Sequence, residues 1–200
     1  VIYLAGPAPQ SDVFHATLDA NTKTFAKPQR VNHSTGNAMA VGSIRGAQAA
    51  FGRGGRLHVV WNGSVVGPDG QRHSDVLYTR SDGEGGFENE RPLMHLGMYL
   101  DGGCTIAADA AGNVHAMWHA TPKDAPPKAG EAARIIYVAS SHDEGATFAE
   151  ERPLMATQGG VCGCCSLRAA ALPDGEVVAL YRNADGRNRG MQLLTSKDGA

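Results

Sequence analysis

The chain lacks several things, and each absence excludes a class of function. It has no excess of positive charge. Lys and Arg total 18 against 20 Asp and Glu in 200 residues, a net charge of −2, so no basic footprint points to nucleic acid or to an anionic membrane surface. No apolar run approaches the roughly 20 residues of a membrane span. No basic-then-apolar leader opens the chain either, which says nothing about compartment where the chain is a fragment. The eight histidines form no metal-ligand signature, and no motif calls for a cofactor. What is abundant is punctuation. Twenty-six Gly and ten Pro, without a collagen-like period and beside an ordinary 42% hydrophobic content, imply many turns between short elements.

Those elements repeat. Three segments share one form, ending at Trp61, Trp118 and Tyr181. Each begins with a small-residue strand (Ala47 to Phe51, Ile106 to Ala108, Ala169 to Ala171), turns at Gly55, Gly112 or Gly175, and closes a second strand on the aromatic. Tyr3 supplies a fourth aromatic in the same register, and successive members lie 57 to 63 residues apart. A third strand follows each aromatic, over Asp12–Ala16, Asp75–Thr79, Arg134–Val138 and Gly190–Leu194. Fourth strands are predicted from Phe87 to Leu93 and from Phe148 to Leu154, both ending in Arg-Pro-Leu-Met. Groups of four short strands at this period specify antiparallel blades and hence a β-propeller. The expected units are 1–42, the end of one blade; 43–94 and 95–155, two full blades; and 156–200, an incomplete blade. Val1-Ile2-Tyr3-Leu4 reads like the middle of a strand, so the sequence is expected to be part of a longer propeller.

Between the third and fourth strands stands Ser141-His142-Asp143-Glu144-Gly145-Ala146-Thr147-Phe148. Asp143 can cap backbone N–H groups in a tight bend, Gly145 tolerates positive φ, and Phe148 can re-enter the interior. Read as S-x-D-x-G-x-T-F, this resembles the Asp-box of sialidases and related BNR-repeat propellers. Asp19, ending at Phe25, and Asp82, ending at Phe87, open degenerate copies, and Ser196-Lys197-Asp198-Gly199-Ala200 a truncated one. The resemblance implies about six blades in the whole protein.

In a four-strand meander the Asp-box turns lie on one face. The starts of the inner strands, the loops after the second strands and the ends of the fourth strands lie on the other. That second face gathers Arg45, Cys104 and the stretch from Cys162 to Arg168, with His119, Arg182 and Asn183 just past the second strands, around the loops 62–74, 119–133 and 183–189. It is the expected place for a polar ligand.

The resemblance to sialidases gives these positions roles. Arg45, ten residues before Gly55, stands where that family carries the first arginine of its triad, although Gly46 and Ala47 replace the rest of its R-I-P motif. Arg182 stands where the second would be. Planar guanidiniums hold a sugar carboxylate bidentately. Asp69 falls about where the family carries its general acid/base, and Arg168, Asn183 and His119 would line the same site. The family's nucleophilic Tyr and third arginine would lie past residue 200. One departure is plain: the position matching the family's catalytic Glu falls near Cys165-Ser166. The function implied is an exo-sialidase-type glycoside hydrolase acting on terminal sialic acid or a related acidic sugar. The competing readings are a non-catalytic carbohydrate- or protein-binding Asp-box propeller and a propeller linked to cysteine or metal chemistry.

Cys104, Cys162, Cys164 and Cys165 are brought together by the repeat register. Disulfides, including one from Cys104 between blades, are the preferred expectation and accord with a secreted or periplasmic protein. A vicinal Cys164–Cys165 bridge, a thiolate site for Zn²⁺ or Cu(I), and buried free thiols stand beside it.

Overall fold

The structure, a computed structural model, describes all residues except 43, 127–129, 156–159, 185, 187–188 and 198–200. It is all β, in four antiparallel sheets that follow one another along the chain. The first holds β1 (Ile2–Ala5), β2 (Asp12–His15) and β3 (Gln29–Arg30). The second holds β4 (Gln48–Phe51), β5 (Leu57–Val66), β6 (Arg72–Arg80) and β7 (Arg91–Pro92) in that order. The third adds a short β8 (Gly97–Met98) to β9 (Thr105–Ala108), β10 (Val114–Pro122), β11 (Ile135–Ser141) and β12 (Arg152–Met155). The fourth holds β13 (Arg168–Ala171), β14 (Val177–Arg182) and β15 (Met191–Ser196). Strands β4, β9 and β13 come first in their meanders, and β9 packs against both of the others, which makes them the inner strands of a β-propeller. Among the described residues no helix is long and apolar enough to cross a membrane.

The cores lie between blades, and the two-residue period of a strand explains how. On β10, Val114, Ala116, Trp118 and Ala120 join the core shared with the preceding sheet, while Met117 joins the core shared with the following one. On β11, Tyr137 and Ala139 face back and Ile136 and Val138 face forward. On β5, Leu57, Val59 and Trp61 face the first sheet and Val60 the third. A sheet buried on both faces needs apolar residues at every position, hence runs such as Val59-Val60-Trp61 and Ala116-Met117-Trp118 in place of clean alternation.

The 141–148 turn has the predicted mechanics. Asp143 Oδ1 accepts from Thr147 N at 2.9 Å and from Ser141 Oγ at 2.7 Å, and Oδ2 accepts from Thr147 Oγ1 at 2.6 Å. These bonds, the Thr147 hydroxyl's first, hold the Asp143 pKa far below the carboxylate range. Glu144 and Gly145 take φ of 63° and 72°. Phe148 packs edge-on to Tyr78 at 4.7 Å, and Arg80 and Arg91 donate to the carbonyls of Glu144, Gly145 and Ala146. The turn thus fastens one blade to the one before it. Asp19 and Asp82 cap turns in the same way, closed by Leu18–Phe25 and Ser81–Phe87 bridges. Of the fourth copy, Ser196 to Ala200, residues 198–200 lie outside the described residues.

The structure corrects two expected loops. Residues 62–66 and 72–74 belong to strands, because β5 runs on to Val66 and pairs with β6 as a long hairpin. Val65 and Val66 favour extended backbone, and Gly67-Pro68-Asp69-Gly70 supplies the reversal, with Gly70 N donating to Gly67 O at 3.0 Å. Likewise β10 continues past Trp118 to Pro122, where β8 pairs with it.

Candidate functional site

On the face opposite the 141–148 turn, the starts of the inner strands and the ends of β10 and β14 carry a connected set of charges. The backbone ahead of β9 is set by Asn62, a buried side chain at the continuation of β5. Its Nδ2 donates to Gly102 O at 2.8 Å, and its Oδ1 accepts from Cys104 N at 3.1 Å. That clamp presents Asp101 between two arginines. Arg45 meets its Oδ1, and Arg134 Nη2 meets its Oδ2 at 2.7 Å. Partial burial works against the Asp101 carboxylate, but the Gly102 amide and the two guanidiniums outweigh it and hold its pKa below the usual range.

The chain of charges continues. Arg134 lies 3.6 Å from Glu131, and Glu131 takes Arg189 at 2.9 Å. Burial again opposes the Glu131 carboxylate, and Arg189 chiefly reverses the balance, so its pKa is lowered. The result is an alternating row, Arg45, Asp101, Arg134, Glu131, Arg189, each charge with a partner of opposite sign. Sequence reasoning missed Asp101, Glu131 and Arg134, since their only signal was position at the start of an inner or third strand.

The cysteine-bearing loop is laid onto this row. Val161 N donates to Arg134 O at 3.1 Å, Cys162 N to Arg182 O at 2.9 Å and Ala184 N to Gly160 O at 3.1 Å. Gly163 suits the fit: a β-carbon there would lie 2.5 Å from Asp101 Oδ2 and 2.7 Å from Arg134 Nη1, so the ion pair would have to shift. All four cysteines are free thiols. The sulfurs of Cys162 and Cys164 are 3.0 Å apart and those of Cys164 and Cys165 3.8 Å, against about 2.05 Å for a bonded pair, so the preferred disulfides are not formed here. Cys104 stands outside the cluster, sealed in the core between the second and third sheets, where burial pushes its thiol up to about 12. Burial also opposes ionisation of Cys162, but hydrogen bonding with Cys164 and contact with Arg189 bring its pKa down overall. Hydrogen bonding with Cys162 first, and with Cys165 second, pushes the Cys164 thiol up to about 11.

The remaining predicted residues separate into two groups. Arg182 and Arg168 stand at the same end of the fourth sheet, Arg168 opening β13 and Arg182 closing β14. Arg182 Nε donates to Arg189 O at 2.8 Å and its Nη1 to Cys165 Sγ at 3.3 Å. Arg168 donates to Ser166 Oγ and to Leu167 O. Among the described residues neither guanidinium has a carboxylate partner. Asn183 bridges to Val161 and helps seat the cysteine loop.

His119 and Asp69 are placed otherwise. His119 is fully buried behind Asp101, with neither ring nitrogen hydrogen-bonded. Burial first, and Arg134 second, push its pKa down to about 4, so it is neutral at pH 7. Asp69 is at the exposed tip of the β5–β6 hairpin, its carboxylate 2.9 Å from His73 Nε2 and 3.0 Å from Gln71 N. The His73 bond first, and the Gln71 amide second, lower its pKa. Among the described residues one carboxyl is raised toward neutrality, Asp75 at about 6, which owes the shift to burial and accepts from Met94 N.

No known sequence family matches the chain, and no curated protein does. Solved structures do. The fold is similar to that of a NanB sialidase mutant from Streptococcus pneumoniae, at 14% identity and a TM-score of 0.59, over 92% of this chain and 26% of that one. It is similar to the Hadza microbial sialidase Hz136, at 16% identity and a TM-score of 0.55, over 96% of this chain and 44% of that one. A protein of unknown function from Dyadobacter fermentans aligns at 18% identity with a TM-score of 0.60, over 96% of this chain and 56% of that one. The chain therefore spans between about a quarter and just over half of the length of these structures. At such identities the likeness shows the fold, a sialidase-like propeller.

Proposed function

We propose that this propeller recognises the carboxylate of an acidic sugar on the face that carries Arg182 and Arg168, and that it serves exo-sialidase-type hydrolysis of a terminal sialic acid or a related residue. The observation that carries the reading is the contrast in pairing. Arg45, Arg134 and Arg189 each meet Asp101 or Glu131, whereas Arg182 and Arg168 have no carboxylate of the protein opposite them among the described residues. A guanidinium with no carboxylate opposite it, at the end of a rigid strand, keeps donors of its fork for an anionic ligand. The paired row beside it supports the reading in a second way. It fixes the loops and keeps the face from being a field of unopposed positive charge. Arg45, on this reading, takes part through Asp101, as the far end of that row.

The test is calorimetric and kinetic together. Sialic acid and its methyl ester are titrated into wild-type protein and into Arg182→Ala and Arg168→Ala, and release from a fluorogenic α-sialoside is followed in parallel. Each substitution is expected to weaken binding of the free acid by about 10- to 100-fold, the worth of one charged hydrogen-bonding partner, and to leave the ester unaffected. Equal binding of acid and ester by the wild type sinks the reading.

The geometry of Asp69 favours a second reading, a propeller that binds acidic carbohydrate without cleaving it. A general acid needs a raised pKa, and this carboxyl is exposed and lowered. Binding of sialic acid without any turnover of the sialoside selects this reading over the first.

A further inference from the structure

Three sulfurs, those of Cys162, Cys164 and Cys165, lie within 4.8 Å of one another at the edge of the charged row, and acidic-sugar binding makes no use of them. We propose that they form a three-coordinate thiolate site for a soft monovalent metal, Cu(I), with Arg189 as a counter-charge.

The spacing is the first support. Metal–sulfur bonds of about 2.3 Å place the sulfurs of a three-coordinate centre about 4 Å apart. The Cys164–Cys165 separation of 3.8 Å already fits, and the Cys162–Cys164 pair at 3.0 Å has only to open by a side-chain rotation. The donor set selects the metal. Among the described residues no His, Asp or Glu joins the three sulfurs, and Cys104 is not one of the group. Zn²⁺ prefers four ligands in a tetrahedron, whereas a set made only of soft thiolates suits Cu(I).

The loop backbone is also held by bonds of its own. Cys162 N is tied to Arg182 O, Val161 N to Arg134 O, and Gly163 fits against Asp101, where a β-carbon would shift the ion pair. A backbone fixed in this way lowers the ordering cost of binding. Access suits an ion taken from solution, with Cys164 exposed, Cys165 half-buried and Cys162 at the bottom. Binding forms three Cu–S bonds, releases three thiol protons to solvent and leaves copper at +1, so no oxidant or reductant is consumed. Three thiolates and one Cu(I) carry two negative charges in all. Arg189, which lies against Cys162, is in place to meet part of that charge.

The experiment supplies Cu(I), as its acetonitrile complex under nitrogen, to the reduced protein in competition with a chromophoric Cu(I) chelator. One copper per chain is expected, with a first shell of three sulfurs by X-ray absorption. Cys164→Ser, at an exposed position that folding does not need, is expected to weaken binding by more than about 100-fold, beyond the loss typical of an outer-shell change. Cys104→Ser is expected to bind as the wild type does. Copper held equally well by Cys164→Ser overturns the proposal, as does a shell of two sulfurs. Preference for Zn²⁺ with a nitrogen or oxygen fourth ligand overturns the choice of metal. Every readout is independent of sugar binding, so failure here leaves the acidic-sugar reading untouched.

Discussion

Gly145 and Tyr78 meet across the boundary between two blades, so closely that a β-carbon on the glycine would stand 1.8 Å from the tyrosine hydroxyl. That hydroxyl is itself bonded to His58 Nδ1 at 2.7 Å, and it has no room to retreat. The turn at 141–148 is therefore matched in shape to the strand β6 that it covers, as well as bonded to it.

Gly145→Ala is expected to be among the most destabilising single changes in the chain. It adds a methyl into a filled space and places a side chain at φ 72°. Overpacking costs about 1–3 kcal/mol and the left-handed conformation about 1–2 kcal/mol more. Urea unfolding followed by tryptophan fluorescence measures the sum. Tyr78→Phe in the Gly145→Ala background should return part of the loss, because it removes the atom that is struck.

Asp101→Ala is expected to destabilise by about 2–4 kcal/mol, since it leaves Arg134, with a side chain only 10% exposed, short of its nearest carboxylate. Asp101→Asn should cost less, because an amide oxygen still accepts one hydrogen bond. Equal stability of wild type and Asp101→Ala in urea denaturation would show that the charged row contributes nothing to the fold.

Acid should unfold the protein through its buried histidines. His58, His115 and His119 all have their pKa pushed from 6.5 down to about 4 by burial. Between those values the unfolded chain binds protons that the folded one refuses, so stability is full above pH 6.5 and falls as pH drops toward 4. Each histidine contributes a slope that approaches about 1.4 kcal/mol per pH unit. Asp75, raised to about 6, works in the opposite direction between pH 3.8 and 6 and offsets one of the three. Urea midpoints from pH 7.5 to 4.5 should show the net loss, and His119→Asn, at a site with no hydrogen bond to break, should flatten the slope by about one proton.

Asp69→Asn should leave stability within about 0.5 kcal/mol of wild type, as expected for an exposed turn. If the protein cleaves a sialoside, the substitution should lower kcat by less than about tenfold, because the carboxyl is held ionised and cannot donate a proton readily. A loss of a hundredfold or more in the same assay would return the acid role to Asp69.

The repeat was readable because each blade solves the same packing problem in the same way. Trp61, Trp118 and Tyr181 are all buried at the same register, and His58 and His115, at equivalent positions, both bond to the neighbouring third strand, through Tyr78 and Ser140. The site was less readable. Asp69 looked like a loop carboxylate, and the hairpin's extension to Val66 moved it to an exposed tip. Asp101 and Arg134 are 33 residues apart in the chain and carry no local signal of their meeting.

By itself the sequence determined the architecture, because strand period, Gly turns and the Asp143 cap are local physics written into neighbouring residues. The tertiary structure alone decided pairing: which arginines find a carboxylate, which cysteines share a cluster and which is sealed in a core. Those outcomes depend on distances between blades, and a charge or a thiol has the same symbol in the sequence whether its partner stands 3 Å away or 30.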